Sequence, residues 1–328
     1  MRNKTKIQTE IFPELEIQAV KVTIVTAIRF LALTVLHFIC FVVVSGALLS
    51  TQTARPEPAQ AGATLLLLII VSLITTGIWT YIILRSRWTG WKLILTVFFV
   101  YFGVSTVMSQ VETAYFITRL PPGMLPRLFL AGIIIAAVFA ALAVLVLGKI
   151  KPQADFEYSR LTMPARVWIA KLSLIVIAYI FLYFTFGYFI AWSSPAVRAY
   201  YGGSDPPGFI AHIMSLLRNE PQLFLLQAVR ALLWTALAVP IIQMMKGKWW
   251  EAGLAVALLF GVFMTAPLLL PNPLMPTEVR MAHLLETSTS NFLFGWVVVF
   301  VLRSIRTANV APRPDDMPLR GWPESHRG

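Results

Sequence analysis

The sequence predicts an all-α fold: a polytopic integral membrane protein with eight transmembrane helices. Three observations carry that expectation. The chain is 58% hydrophobic and only 13% charged over 328 residues, whereas soluble domains carry about 25% charged residues. Its apolar residues gather into eight runs, at 22–49, 63–84, 93–116, 127–147, 167–192, 223–245, 252–270 and 279–302, each near the ~20 residues that cross a hydrocarbon core. The longest connections, 148–166 and 193–222, leave no room for a soluble domain.

The charge distribution sets the expected orientation. The net charge is +12, but the basic residues are not spread as a nucleic-acid surface would be. With the N-terminus inside, nineteen of the 27 Lys and Arg fall in inner segments and six in outer ones, with Arg29 and Arg230 within helices. That bias is the positive-inside signature and an attraction for anionic headgroups. It predicts a multi-pass protein of the cytoplasmic membrane with both termini in the cytoplasm.

The first 20 residues mix acid and base (Arg2, Lys4, Lys6, Glu10, Glu14, Glu16). They lack the short apolar core of a signal peptide, so they are expected to form a cytoplasmic segment and the first run to remain as an anchor. That run holds Cys40, Arg29 and His37. One cysteine excludes an internal disulfide or a cysteine metal cluster. Arg29 lies close enough to the inner surface to snorkel, and His37 is expected to make an interhelical hydrogen bond. The second run is Leu/Ile-rich, and the turn from Arg85 to Lys92 mixes charge and tryptophan as an interfacial anchor does.

The third run carries Gln110 and Glu112 near its outer end and stops at Pro121-Pro122-Gly123, a strong breaker. The fourth begins at Arg127. The fifth is aromatic, from Tyr179 to Trp192, and reads as packing and interface belt. In the following segment, Phe209, Ile213, Met214 and Leu217 against His212 and Arg218 predict a short amphipathic helix on the outer surface. The sixth run places Gln227 and Arg230 at i, i+3, too deep for comfortable snorkelling, with a kink expected at Pro240. The seventh is apolar. Residues 304–328 are polar and proline-rich, as disordered cytoplasmic tails are.

The order of features repeats. A basic-Trp turn, a helix with Phe-Gly-Val, a proline-rich linker and a helix opening on arginine occur at 85–127 and again at 246–280. This suggests two parallel four-helix halves within the 21–303 transmembrane region, 21–150 and 166–303.

The eighth run concentrates the unusual chemistry. Arg280, His283 and Glu286 recur at i, i+3 and i+6, and Thr287, Ser290 and Asn291 continue that side of the helix. Charged groups at the bilayer centre cost roughly 2.5–3.5 kcal/mol each, so the stripe is expected to face protein or water. Glu112, Arg230 and the Arg280–Glu286 stripe fall at one depth, and Arg230 is the natural counter-ion of a glutamate.

The expectation is an outward-facing polar pocket serving a carrier or binding protein for a small anionic or amphipathic molecule. Arg230, Arg280, Arg127, Gln227, Asn291 and Ser290 would contact ligand, and Glu286 or Glu112 with His283 would carry a coupling proton. A membrane-embedded lipid-modifying enzyme is the alternative, with Glu286 as base, His283 as its partner and Glu112 nearby. A metal-dependent version would draw ligands from His283, Glu286, Glu112 and His37, although no cofactor is predicted. A structural or assembly subunit is the third class. The expected partners are the bilayer and the small ligand, not nucleic acid, and nothing in the sequence points to a protein partner. No Walker loop, dinucleotide-type glycine fingerprint, haem-style histidine pair or spaced Ser–His–Asp set is present.

Overall fold

Apolar length predicts spans, and the computed structural model, which describes residues 2–49, 58–117, 120–151, 161–203, 205–272 and 275–304, contains eight helices long and apolar enough to cross a membrane. They are span 1 (Val20–Leu49), span 2 (Ala61–Leu84), span 3 (Gly90–Phe116), span 4 (Met124–Val146), span 5 (Ala165–Ala191), span 6 (Pro221–Met244), span 7 (Trp249–Leu269) and span 8 (Thr277–Arg303). The chain is a multi-pass, all-α membrane protein. The tail expected at 304–328 lies, from residue 305, outside the described residues.

Two local features add to what the sequence led one to expect. Span 1 is the later part of a helix that begins at Arg2, so the polar N-terminal stretch is continuous with the first crossing. The connection after span 5 contains a further helix, Pro195–Tyr201, before the expected surface helix Phe209–Asn219. Pro195 starts the first of these, where its missing N–H costs nothing, and Gly202 at φ 75° ends it in the left-handed conformation. Pro240 sits inside span 6 without terminating it.

Helix pairing follows one order in both halves. Span 1 packs on spans 2 and 4, and span 3 on span 4. Span 5 packs on spans 6 and 8, and span 7 on span 8. Across the middle, span 2 meets span 7 and span 3 meets span 6. Exchanging the first four spans for the last four maps each of these pairings onto another. The Phe-Gly-Val sites share a backbone feature too, since π-helical turns occupy Gly103–Val107 and Leu258–Phe263.

Lipid tails are as apolar as leucine, so helices in a bilayer associate through close packing of small residues. Gly295 of span 8 lies so near span 7 that an added Cβ would sit 2.6 Å from the Ala257 Cα, and one on Gly261 would meet the Ser288 carbonyl at 2.6 Å. The buried core runs through both halves, with Trp79, Phe139, Trp234, Phe260 and Phe294 almost fully enclosed. Large apolar side chains such as Ile28, Phe99, Ile177, Leu225 and Phe300 point outward, as lipid-facing residues should.

At one end the turns interlock. Residues Ser86 and Met245 form an antiparallel bridge, the Arg87 N–H donates to the Met244 carbonyl at 2.7 Å, and the Lys246 N–H to the Arg85 carbonyl at 2.8 Å. Arg85 is ion-paired with Glu251 at the start of span 7. Helix ends leave carbonyls without intrahelical donors. Lys171 donates to Leu302 at the end of span 8 (2.9 Å), and Arg303 to Ile242 at the end of span 6 (2.6 Å). Arg29 lies over Gly148, just past span 4, which places it at this same basic end.

Candidate functional site

The opposite end gathers the polar groups. Span 3 reaches it through its π turn, and the one extra residue rotates the helix beyond by about 100°. Gly103, at the start of that turn, lets span 3 approach Leu237 of span 6 closely. Further along the two helices, Glu112 Oε1 meets Arg230 Nη1 at 2.5 Å.

Arg230 is 1% exposed, whereas the Glu112 side chain is 28% exposed. The guanidinium also donates to Gln227 Oε1 at 2.8 Å and lies 5.8 Å from the centre of the Tyr179 ring. A buried arginine needs such partners. The set is incomplete: among the described residues, Arg230 Nε and Gln227 Nε2 have no hydrogen-bond partner.

Span 8 supplies the second part. Glu286 is buried; its Oε2 accepts from Thr287 Oγ1 at 2.8 Å and lies 3.4 Å from His283 Nδ1. His283 Nε2 lies 3.2 Å from the Tyr201 hydroxyl. One assignment satisfies the row: the Tyr201 O–H donates to Nε2, and the Nδ1–H donates to the carboxylate. Tyr201 is held there because Val197 of its short helix packs, fully buried, with Val279 at the start of span 8.

The two parts adjoin: the ring of Phe116, one turn beyond Glu112 in span 3, lies 6.3 Å from that of Tyr201. Burial is the main reason the Tyr201 hydroxyl holds its proton well above the ordinary tyrosine range, and the neighbouring Tyr200, Glu112 and Glu286 add to it. Glu112 and Glu286, from spans 3 and 8, thus both act on one hydroxyl.

The remaining predicted residues divide. Arg280 is buried one turn before His283; its Nη2 lies 3.5 Å from Thr277 Oγ1, and among the described residues its Nε has no hydrogen-bond partner and it has no carboxylate partner. Ser290 donates to the Thr287 carbonyl at 3.4 Å, and Asn291 Nδ2 contacts Met264 Sδ at 3.9 Å on the span 7 side. Arg127 is exposed, and no described side-chain contact joins it to the cluster. His37 does not join either. Its ring nitrogens face Ser72 Oγ at 3.1 Å and Tyr101 OH at 2.9 Å, within a cage that includes Phe41 and Phe139.

The metal set proposed from sequence does not assemble, because Glu112 is committed to Arg230 and His37 to its own cage. Among the described residues no three His, Cys, Asp or Glu side chains are grouped to hold a metal ion. Sequence reasoning missed Tyr201 as a site residue, and the tyrosine pair before Gly202-Gly203 gave no signal of which span it would meet. Comparison with protein-family models, with curated proteins and with solved structures returned no match.

Proposed function

We propose that the chain is a carrier or binding protein for a small anionic or amphipathic molecule, taken in an outward-facing polar pocket between spans 3, 6 and 8. The observation that carries this reading is Arg280, a buried guanidinium with no carboxylate partner among the described residues. Such a cation is a standing site for an anionic group. Arg230 and Gln227 on span 6 add further buried donors without a partner among the described residues. Glu112 balances Arg230, and Glu286 balances Arg280 in charge without touching it. A ligand anion entering with a proton, which His283 would take up between Glu286 and Tyr201, leaves the net charge of the cluster unchanged. That is the economy a proton-coupled carrier needs in low dielectric. The outward sense follows from the basic turns lying at the other end.

Equilibrium binding of radiolabelled oleate to the purified protein tests this reading. Saturable binding is expected, together with its loss in Arg280→Gln at an unchanged Tm. Equal binding by the variant refutes the reading, and a fall in Tm in proportion to lost binding assigns Arg280 to structure instead.

A second reading rests on the Tyr201–His283–Glu286 row, in which an imidazole is oriented by a carboxylate and presented to a hydroxyl. That is the arrangement of a general base, and it supports acid–base chemistry on a lipid substrate. Recovery of chemically altered lipid after incubation, abolished by His283→Ala, distinguishes it from a carrier.

A further inference from the structure

The end of the bundle opposite the polar cluster holds a second gathering of charged side chains, this one of basic residues. Arg87, Lys149, Lys246 and Arg303 come from four different elements and meet where the turn between spans 2 and 3 bridges the turn between spans 6 and 7. The backbone sets their positions. The Gly90 N–H donates to the Lys149 carbonyl at 2.8 Å, and Lys149 Nζ donates to the Ser86 carbonyl at 2.9 Å, inside the bridged turn. All four side chains are only partly exposed.

Like charges so held repel one another, more strongly as water is excluded. Burial lowers the Lys149 pKa below the ordinary lysine value, and the neighbouring Lys246 ammonium is the next cause. Among the described side chains the carboxylate at this end is Glu251, which accepts from Arg85 Nε at 2.8 Å and faces the Lys248 N–H at 3.4 Å.

The rim fixes the depth of the cluster. Lys92 Nζ sits 3.9 Å from the centre of the Trp88 ring, Trp91 is 76% exposed, and Trp249 and Trp250 are exposed beside the other turn. Tryptophan and lysine in this mixture mark headgroup level. Leu145 and Ile150, on either side of Gly148 and Lys149, present exposed apolar surface on which an acyl chain can lie.

We propose that this seam is a binding site for the phosphodiester headgroup of an anionic phospholipid, held chiefly by Lys149 and Lys246 with Arg87 and Arg303 alongside. A lipid is favoured over free phosphate because the tryptophan rim and the adjacent apolar surface accommodate the rest of the molecule. The site is independent of the polar cluster at the far end.

The test is native mass spectrometry of the detergent-solubilised protein titrated with phosphatidylglycerol or phosphatidylcholine, alongside Tm measurements in each lipid. Phosphatidylglycerol is expected to be retained and to raise Tm, and phosphatidylcholine to do neither. The double variant Lys149→Gln/Lys246→Gln should bind phosphatidylglycerol about 30-fold more weakly, since each basic residue contributes on the order of a few-fold to tenfold. Its lipid-free Tm reads whether the fold is kept, since the double variant also loses the Lys149–Ser86 hydrogen bond. Lys246→Gln alone keeps that bond and should weaken phosphatidylglycerol binding about fivefold. Equal retention of the two lipids, or unchanged phosphatidylglycerol binding by both variants, would overturn the proposal. Protection by millimolar inorganic phosphate without lipid would overturn the choice of a lipid. Lys151→Gln, outside the seam, is the control and should behave as wild type.

Discussion

Replacing Glu112 with glutamine removes one charge from the contact between spans 3 and 6 while keeping its size and an acceptor oxygen. Arg230, 1% exposed, would keep Gln227 and the new amide oxygen but lose its carboxylate. Breaking a buried pair from one side costs about 3–5 kcal/mol, because the remaining charge is stranded. The Glu112 side chain is 28% exposed, so water recovers part of that loss and the lower bound, about 3 kcal/mol, applies. Removing both charges, as Glu112→Met/Arg230→Met, should be far milder, since an apolar pair of similar volume carries no desolvation cost. Thermal unfolding in detergent, followed by tryptophan fluorescence, reads both: Trp234 is buried one turn from Arg230. The expected order is wild type, then the double methionine variant, then Glu112→Gln, with several degrees between the last two. Glu112→Gln melting with the wild type, or the double variant melting below it, would refute the account of Arg230 as a buried cation dependent on one acid.

Four further outcomes follow from the same contacts. Glu286→Gln is expected to abolish oleate binding or its pH dependence while Tm changes by less than about 1 kcal/mol equivalent, because Thr287 can still donate to the amide oxygen; unchanged binding counts against the carrier reading. Tyr201→Phe removes the hydroxyl 3.2 Å from His283 Nε2 and should cost about 1 kcal/mol while shifting the pH profile of ligand binding; an unmoved profile would show that the row does not handle the ligand's proton. Gly261→Ala drives a methyl group against the Ser288 carbonyl, 2.6 Å away, and should lower stability by about 1–3 kcal/mol, whereas Gly187→Ala, which meets nothing within 4 Å, should not; equal melting of the two would refute glycine-mediated packing of spans 7 and 8. Lys149 has a folded pKa below its ordinary value, so the unfolded chain binds the extra proton as pH rises between the two values, and stability there increases with pH. Lipid-free protein should therefore become more stable as pH climbs toward the ordinary lysine value, Lys149→Gln should lose that slope, and an identical slope in the variant would refute it.

The sequence made the crossings legible because each needs only length and apolarity, and every predicted span overlaps an observed one within a few residues. It also pointed to Arg230 as the counter-ion of Glu112 or Glu286, since opposite charges at one depth have few alternatives in low dielectric, and the structure pairs it with Glu112. What hydropathy cannot convey is the rotation of one helix against another. The π turn before Glu112 resets that rotation without a sequence mark stronger than Phe-Gly-Val. His37 and Arg127 show this: both lie at a plausible depth, but His37 faces Ser72 and Tyr101, the interhelical contact expected of it, rather than the cluster, and Arg127 is exposed. Tyr201 was missed because its partner depends on how the short helix Pro195–Tyr201 lies on span 8, which the packing of Val197 with Val279 decides.

The two ends of the bundle join the halves by different means. At the basic end main chain is stitched to main chain through Ser86 and Met245, bonds that no change of protonation or ligand dissolves. At the far end the link between spans 3 and 6 includes, among the described residues, the ion pair of Glu112 and Arg230, which an anion or a proton can compete for. If the halves rock against each other, the stitched turns are the hinge, and the gape opens where the ligand is proposed to arrive.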